Sequence, residues 1–229
     1  MNKVARGKEG PAGLRIGVYG GTFSPVHTAH LILAEEIRER MALESVLFVP
    51  SGVPPHKNTS LPGGEERLAM TRLAVRGNPF FSVLDTEVRR PGHSYTVETL
   101  RELRDRFGKG AVLFFLIGMD AFREITTWHE AGALPALAHF VIFPRPGHPV
   151  GNPARQVPSS WEPGPPGKKR AGITPWPVAG GKSIYTVETD TYPLSASAIR
   201  RRLRRGRSVK YLVPDAVERY IRKNNLYGA

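Results

Sequence analysis

The sequence predicts an α/β fold: a doubly wound parallel sheet with helices on both faces and a small C-terminal helical extension. Three observations carry this. Short runs at residues 14–19, 45–50 and 111–117 are apolar at successive positions, as strands covered on both faces are. Between them stand segments whose apolar residues recur at a helical period. A glycine pair, Gly20-Gly21, directly follows the first run, where a strand has to turn into a helix.

Taken in order, residues 14–19 (LRIGVY) read as a buried strand. The next segment reads as a helix with the stripe Leu33, Ile37 and Met41, widened by Leu31 and Ala34, while Glu35, Glu36, Arg38 and Glu39 face water. Residues 45–50 (SVLFVP) form a second strand, and 52–64 a long polar loop with three prolines. A helix follows over 65–75, with Leu68, Thr71, Leu73 and Val75 as its less polar positions. Residues 81–84 read as a strand and 96–107 as a helix with the stripe Val97, Leu100, Leu103 and Phe107, stopped by Gly108. Strands at 111–117 and 139–143 flank a helical stretch at 128–137 that Pro135 interrupts. Residues 144–181 are rich in proline and glycine, and 147–182 read as an irregular, partly mobile insertion. A strand at 183–189 returns to the sheet, and two helices within 195–229, at 197–205 and 214–225, close the chain. Residues 1–13 read as a flexible leader and 14–229 as one domain.

Composition narrows the function classes. The 229 residues are 40% hydrophobic, enough for a sizeable core. No run of eighteen apolar residues exists, so no membrane-spanning helix is expected. The absence of cysteine excludes disulfides and thiolate chemistry and fits a cytoplasmic setting. The net charge of +13 suits polyanionic partners: nucleic acid, anionic membrane or phosphate-rich small molecules. Much of it sits in residues 168–170 and in the six arginines of 200–207.

The chemistry concentrates in residues 20–30, GGTFSPVHTAH. Gly20, Gly21, Thr22 and Phe23 leave the first strand at its carboxyl end, where open α/β sheets bind ligands. The helix after them turns its positive dipole end to the same place, which suits phosphate. His27 and His30, three apart, share one face of its first turn. As imidazolium or as N–H donors, they can hold phosphate oxygens and stabilise developing negative charge.

This stretch resembles the nucleotidyltransferase superfamily pattern GGTFDPxHxGH, with Ser24 and Ala29 in place of the usual Asp and Gly. The resemblance implies a Rossmann-like fold in which both histidines handle the triphosphate of ATP. Residues 194–200 (LSASAIR) are similar to the superfamily's ISxTxIR. On that resemblance, Ser195, Ser197 and Arg200 contact ATP phosphates. Four further segments resemble the bacterial nicotinate mononucleotide adenylyltransferases. These are VP…PPHK at 49–57, Ser94-Tyr95-Thr96, IGMD at 117–120, and Thr127-Trp128. They imply that Gly118 and Asp120 bind the nucleoside, the carboxylate accepting from ribose hydroxyls. They also imply that Lys57, Ser94, Tyr95, Thr96 and Trp128 bind the mononucleotide, with the indole stacking on its pyridine ring.

The implied reaction is adenylyl transfer from ATP to nicotinate mononucleotide, giving nicotinate adenine dinucleotide and pyrophosphate in NAD biosynthesis. Mg2+ would arrive on the ATP phosphates, with no dedicated metal cage in the chain. The implied partners are these two small molecules, without nucleic acid or membrane, and a homo-oligomer is compatible with them. Competing readings are a nicotinamide mononucleotide or phosphopantetheine adenylyltransferase, a cytidylyltransferase, an inactive ATP-binding relative, or a basic nucleic-acid-binding protein.

Overall fold

Leu14–Gly21 forms strand β1, whose side chains at 16 and 18 pack on one face of the sheet and at 19 on the other. The computed structural model describes residues 13–53, 61–108 and 110–229. The leader, apart from Gly13, lies outside them, as does most of the 52–64 loop. After β1 come helix α1 (Thr28–Arg40), strand β2 (Ser45–Pro50), helix α2 (Gly64–Val75) and strand β3 (Phe81–Val83). A short helix α3 (Thr86–Arg89) precedes α4 (Thr96–Phe107), β4 (Ala111–Gly118), α5 (Met119–Phe122), α6 (Leu134–Leu137) and β5 (His139–Phe143). The chain then adds β6 (Ile173–Val178), β7 (Lys182–Val187), α7 (Ala196–Arg204) and α8 (Asp215–Lys223).

The seven strands form one sheet in the order β3-β2-β1-β4-β5-β7-β6. All neighbours run parallel except the β6–β7 pair. Apolar side chains fill both faces. On one, Leu33 and Ile37 of α1 meet Phe48, Phe114, Ile199 and Val217. On the other, Val97, Leu100 and Leu103 of α4 meet Leu47, Phe115 and Phe140. The sheet is therefore doubly wound, as its strand pattern predicts.

Two expectations change. The helix expected over 128–137 is replaced by single turns at Ile125–Thr127 and Ala131–Ala133 and the four-residue α6. Pro135, which lacks an N–H, is accommodated in the first turn of that short helix. The stretch expected to be irregular contains a whole strand, β6, and buries Trp161 completely. The Trp161 Nε1–H donates to the Ala131 carbonyl over 2.8 Å. Pro175 and Pro177 are tolerated because β6 is an edge strand. Their carbonyls point outward, where they accept N–H groups of Gly167 and Gly164 over 2.8 and 2.9 Å. A residue's N and O lie on the same side of an antiparallel strand, so the missing proline donors also face away from β7.

In α2, Leu68, Met70, Thr71 and Val75 are buried, and Leu73 only partly. Arg67 is buried with them, at 2% exposure. No described helix is long and apolar enough to cross a membrane.

Candidate active site

The strand order reverses between β1 and β4: the chain goes from β1 outward through β2 and β3, then returns to place β4 on the other side of β1. Open α/β sheets bind ligands at such a switch point, outside the carboxyl ends of the strands. Gly20 and Gly21 end β1, Gly118 ends β4, and Asp120 follows in α5. Residues 20–30 and 118–120 are thus brought to one place.

His27 is the N-cap of α1 and His30 lies in its first turn. Their rings stack, with centroids 3.6 Å apart. The His27 backbone N–H donates to Nδ1 of His30 over 3.2 Å. Histidine here does what Glu or Gln does in a capping box. A ring nitrogen that accepts carries no proton, so a neutral His30 holds its proton on Nε2. The rings of Phe23 and Tyr19 stand edge-on to His30 at 5.2 and 6.0 Å and fix its plane. Phe23 holds φ 46°, a strained value for a non-glycine residue.

His27 has no exposed surface, and among the described residues neither of its ring nitrogens has a hydrogen-bond partner. Burial, and then the positive field of Arg145, pull its pKa down from 6.5 to about 3. The ring is therefore neutral at physiological pH. In that state the ring can act as an N–H donor. A buried, unpaired polar ring costs stability, and such groups collect where a ligand completes them.

The N–H groups at the start of α1 are engaged inside the protein. That of His27 goes to His30, and that of Thr28 to the Leu212 carbonyl over 3.0 Å. These two N–H groups are not the phosphate donors the sequence suggests. The neighbouring His30 ring satisfies the first, and the Leu212 carbonyl, reaching back from the C-terminal segment, the second.

Three side chains from distant parts of the chain grip the loop between β1 and α1. Arg200 donates to the Ser24 carbonyl over 2.7 Å and to the Ser197 hydroxyl over 3.1 Å. The hydroxyls of Tyr227 and Ser24 lie 3.1 Å apart in a hydrogen bond. Arg67 donates to the carbonyls of Thr22, Gly52 and Pro62 over 2.9, 2.6 and 3.1 Å. Ser24 thus uses its hydroxyl to hold the chain's end. Ser195 is the N-cap of α7 and accepts the Ala198 N–H over 3.2 Å, so its oxygen serves the helix.

Asp120 is exposed, with Arg145 Nε 3.8 Å from its carboxylate. Sequence reasoning missed Arg145. It sits just beyond β5, and only the adjacency of β4 and β5 puts it beside Asp120 and His27. Its one available signal was its place after a buried strand.

On the second-substrate side, Lys57 lies outside the described residues. Tyr95 caps α4 without a side-chain hydrogen bond, and Thr96 opens the helix, so α4 presents a positive dipole end. Ser94 Oγ accepts the Gly52 N–H over 2.9 Å. The Tyr95 ring lies 4.3 Å from that of His129, next to the half-buried Trp128, whose indole meets Phe115 edge-on at 6.1 Å. Among the described residues no group of three or more His, Asp or Glu side chains can hold a metal ion.

The profile of the cytidylyltransferase-like family matches residues 18–202. A probable nicotinate-nucleotide adenylyltransferase of Thermus thermophilus is 42% identical over 214 residues, covering 93% of this chain and 100% of that one. One of Moorella thermoacetica is 39% identical over 214 residues, covering 93% and 91%. The fold is similar to that of the Plasmodium falciparum nicotinic acid mononucleotide adenylyltransferase complexed with NaAD. There the TM-score is 0.72 at 18% identity, covering 93% of this chain and 97% of that one. The chain belongs to the cytidylyltransferase-like family of nucleotidyltransferases and, within it, to the nicotinate-nucleotide adenylyltransferases.

Proposed function

We propose that the chain transfers the adenylyl group of ATP to the 5′-phosphate of nicotinate mononucleotide, releasing pyrophosphate and forming nicotinate adenine dinucleotide in NAD biosynthesis. One observation carries the reading: a fully buried, neutral His27, unpaired among the described residues and stacked on His30 at the sheet's switch point. Such a pair can serve neutral N–H donors to a phosphate while bringing no second positive charge into a buried site.

A phosphate oxygen of the mononucleotide attacks the α-phosphorus in line. The new P–O bond forms as the bond to the bridging α,β-oxygen breaks, and the electron pair leaves with pyrophosphate. The attacking phosphate is already ionised near neutral pH, so no general base is required, and catalysis reduces to positioning and charge stabilisation. In this reading His27 and His30 face the α-phosphate, and Ser197 and Arg200 hold the β,γ end. Gly118 and Asp120 hold the nucleoside. The open N-terminus of α4 at Tyr95 and Thr96 takes the anionic end of the mononucleotide, Trp128 flanks its pyridine ring, and Ser94 braces the loop at Gly52. Lys57 would add a cation. Mg2+ enters as part of the MgATP substrate, held largely by the triphosphate and water. A chain without cysteine suits work in a reducing cytoplasm.

The test is a pyrophosphate-release assay with ATP and, in turn, nicotinate mononucleotide, nicotinamide mononucleotide and phosphopantetheine. Turnover is expected to be fastest with nicotinate mononucleotide. Equal or faster turnover with either alternative acceptor would reassign the substrate.

A further inference from the structure

Helix α7 carries more positive charge than the reaction needs. Ser197, Arg200, Arg201 and Arg204 recur at helical spacing and share one flank. That flank lines an open cavity of about 710 Å³, whose other walls are Leu61, Tyr227 and Gly228. Ser197 and Arg200 are its inner wall, tied to the nucleotide loop through Ser24. Arg201 and Arg204 are exposed and form its outer wall. Among the described residues neither makes an ion pair or a side-chain hydrogen bond, whereas Arg222, also on an exposed helical face nearby in sequence, pairs with Glu218 at 3.0 Å. Among the described residues, the cavity wall contains no carboxylate. Two guanidinium groups held side by side without counter-charge repel one another, and an anion with closely spaced charges relieves that repulsion.

We propose that this cavity is an outer anion subsite. It receives the pyrophosphate as it leaves the α-phosphorus and binds inorganic tripolyphosphate by the same chemistry. The proposal rests on the reading above, in which Ser197 and Arg200 hold the β,γ end of ATP. A linear polyphosphate fits because its charges are only one P–O–P link apart, so one end can sit at Arg200 while the other reaches Arg204, one helical turn further. A nucleic-acid strand spaces single charges along a sugar backbone and matches a long groove better than a pocket.

A second cleft, of about 270 Å³, shares Arg201 with the first and is otherwise lined by Ala198, Arg202, Arg205 and Arg207. It touches neither Ser197 nor Arg200 and supplies the control. Tripolyphosphate and pyrophosphate binding to the full-length protein are measured by calorimetry for three forms: wild type, Arg201→Ala/Arg204→Ala, and Arg205→Ala/Arg207→Ala. Both double variants lose the same net charge. The first is expected to weaken tripolyphosphate binding by about tenfold or more, and the second by no more than about twofold. Arg201→Lys/Arg204→Lys is expected to recover part of the affinity, because it keeps the charge and loses the fork. In the transfer assay, the first variant is expected to show a raised inhibition constant for pyrophosphate. Equal weakening by both alanine pairs, no weakening by either, or tighter binding of single-stranded DNA than of tripolyphosphate at Arg201 and Arg204 would overturn the proposal. Because binding is read directly, absence of adenylyl transfer in the wild type would sink the parent reading. Unchanged tripolyphosphate affinity with transfer intact would sink this one alone.

Discussion

The His27 backbone N–H donates to Nδ1 of His30, and the same two rings stack at 3.6 Å, so each histidine sets the geometry of the other. Replacing His27 by alanine removes the ring that His30 stacks on. Replacing His30 removes the acceptor of the His27 N–H. Each substitution is expected to cut turnover by about two to three orders of magnitude, the usual effect of losing one preorganised donor. Pyrophosphate release at saturating substrates measures this, and a variant within about threefold of wild type would remove that histidine from the chemistry.

Stability should depend on pH through two histidines. Burial holds His27 at about 3 and His139 at about 4, both below the ordinary 6.5. His139 Nδ1 accepts the Ser183 N–H over 3.0 Å, which also needs the ring neutral. Between about pH 6.5 and those lower values the unfolded chain binds protons that the folded chain refuses. Their contribution is therefore complete above about pH 6.5 and lost as pH falls toward 4 and then 3. Urea midpoints are expected to drop from pH 7 to pH 4.5, and His139→Gln, which keeps an acceptor for Ser183, should flatten the drop at about the same neutral-pH stability. A midpoint that stays constant over this range contradicts the assignment.

Arg67 is a positioning residue. It ties the Thr22 carbonyl to those of Gly52 and Pro62 from inside the protein. Arg67→Met fills the space but leaves three carbonyls without their donor. It is expected to cost about 3 kcal/mol or more of stability and to raise the KM for ATP. Arg67→Lys should restore part of the stability and less of the KM, because one ammonium cannot span three acceptors. A wild-type urea midpoint in Arg67→Met would show that the three bonds carry no stability.

Two glycines should fail in different ways. A Cβ on Gly52 would lie 2.0 Å from the Glu87 carbonyl oxygen, so the backbone must move. Gly52→Ala is expected to lose about 1–3 kcal/mol of stability. A Cβ on Gly118 would meet Asp120 Oδ1 at 2.5 Å and Arg145 Cγ at 3.0 Å. These are side-chain atoms that can swing away, at the expense of the Asp120–Arg145 arrangement. Gly118→Ala should therefore melt near wild type yet bind ATP more weakly, as thermal unfolding and ATP titration would show. The opposite pattern would refute this ordering.

Most of the regular elements were legible because their signals are local. The apolar run at 111–117, the stripe of Val97, Leu100 and Leu103, and the glycine stop at Gly108 depend only on neighbours in the chain. Strand β6 was hidden because prolines and glycines mark irregular backbone by default. Pro175 and Pro177 become acceptable only once β7 is on one side and the 164–167 turn on the other. Arg67 was hidden because an arginine on a helix reads as surface, and its three carbonyl partners come from two separate loops.

The sequence by itself determined the class of fold and singled out residues 20–30 and 194–200 as the candidate site segments. Apolar period and residue type are properties of short segments, and both motifs are short. Only the tertiary structure decided how those two motifs meet, with Arg200 on the Ser24 carbonyl across 176 positions. It also placed Arg145 against Asp120 and made His27 neutral. The reason is physical: burial, field and hydrogen-bond geometry depend on what packs around a group, and that is set by strand order and helix docking at long range.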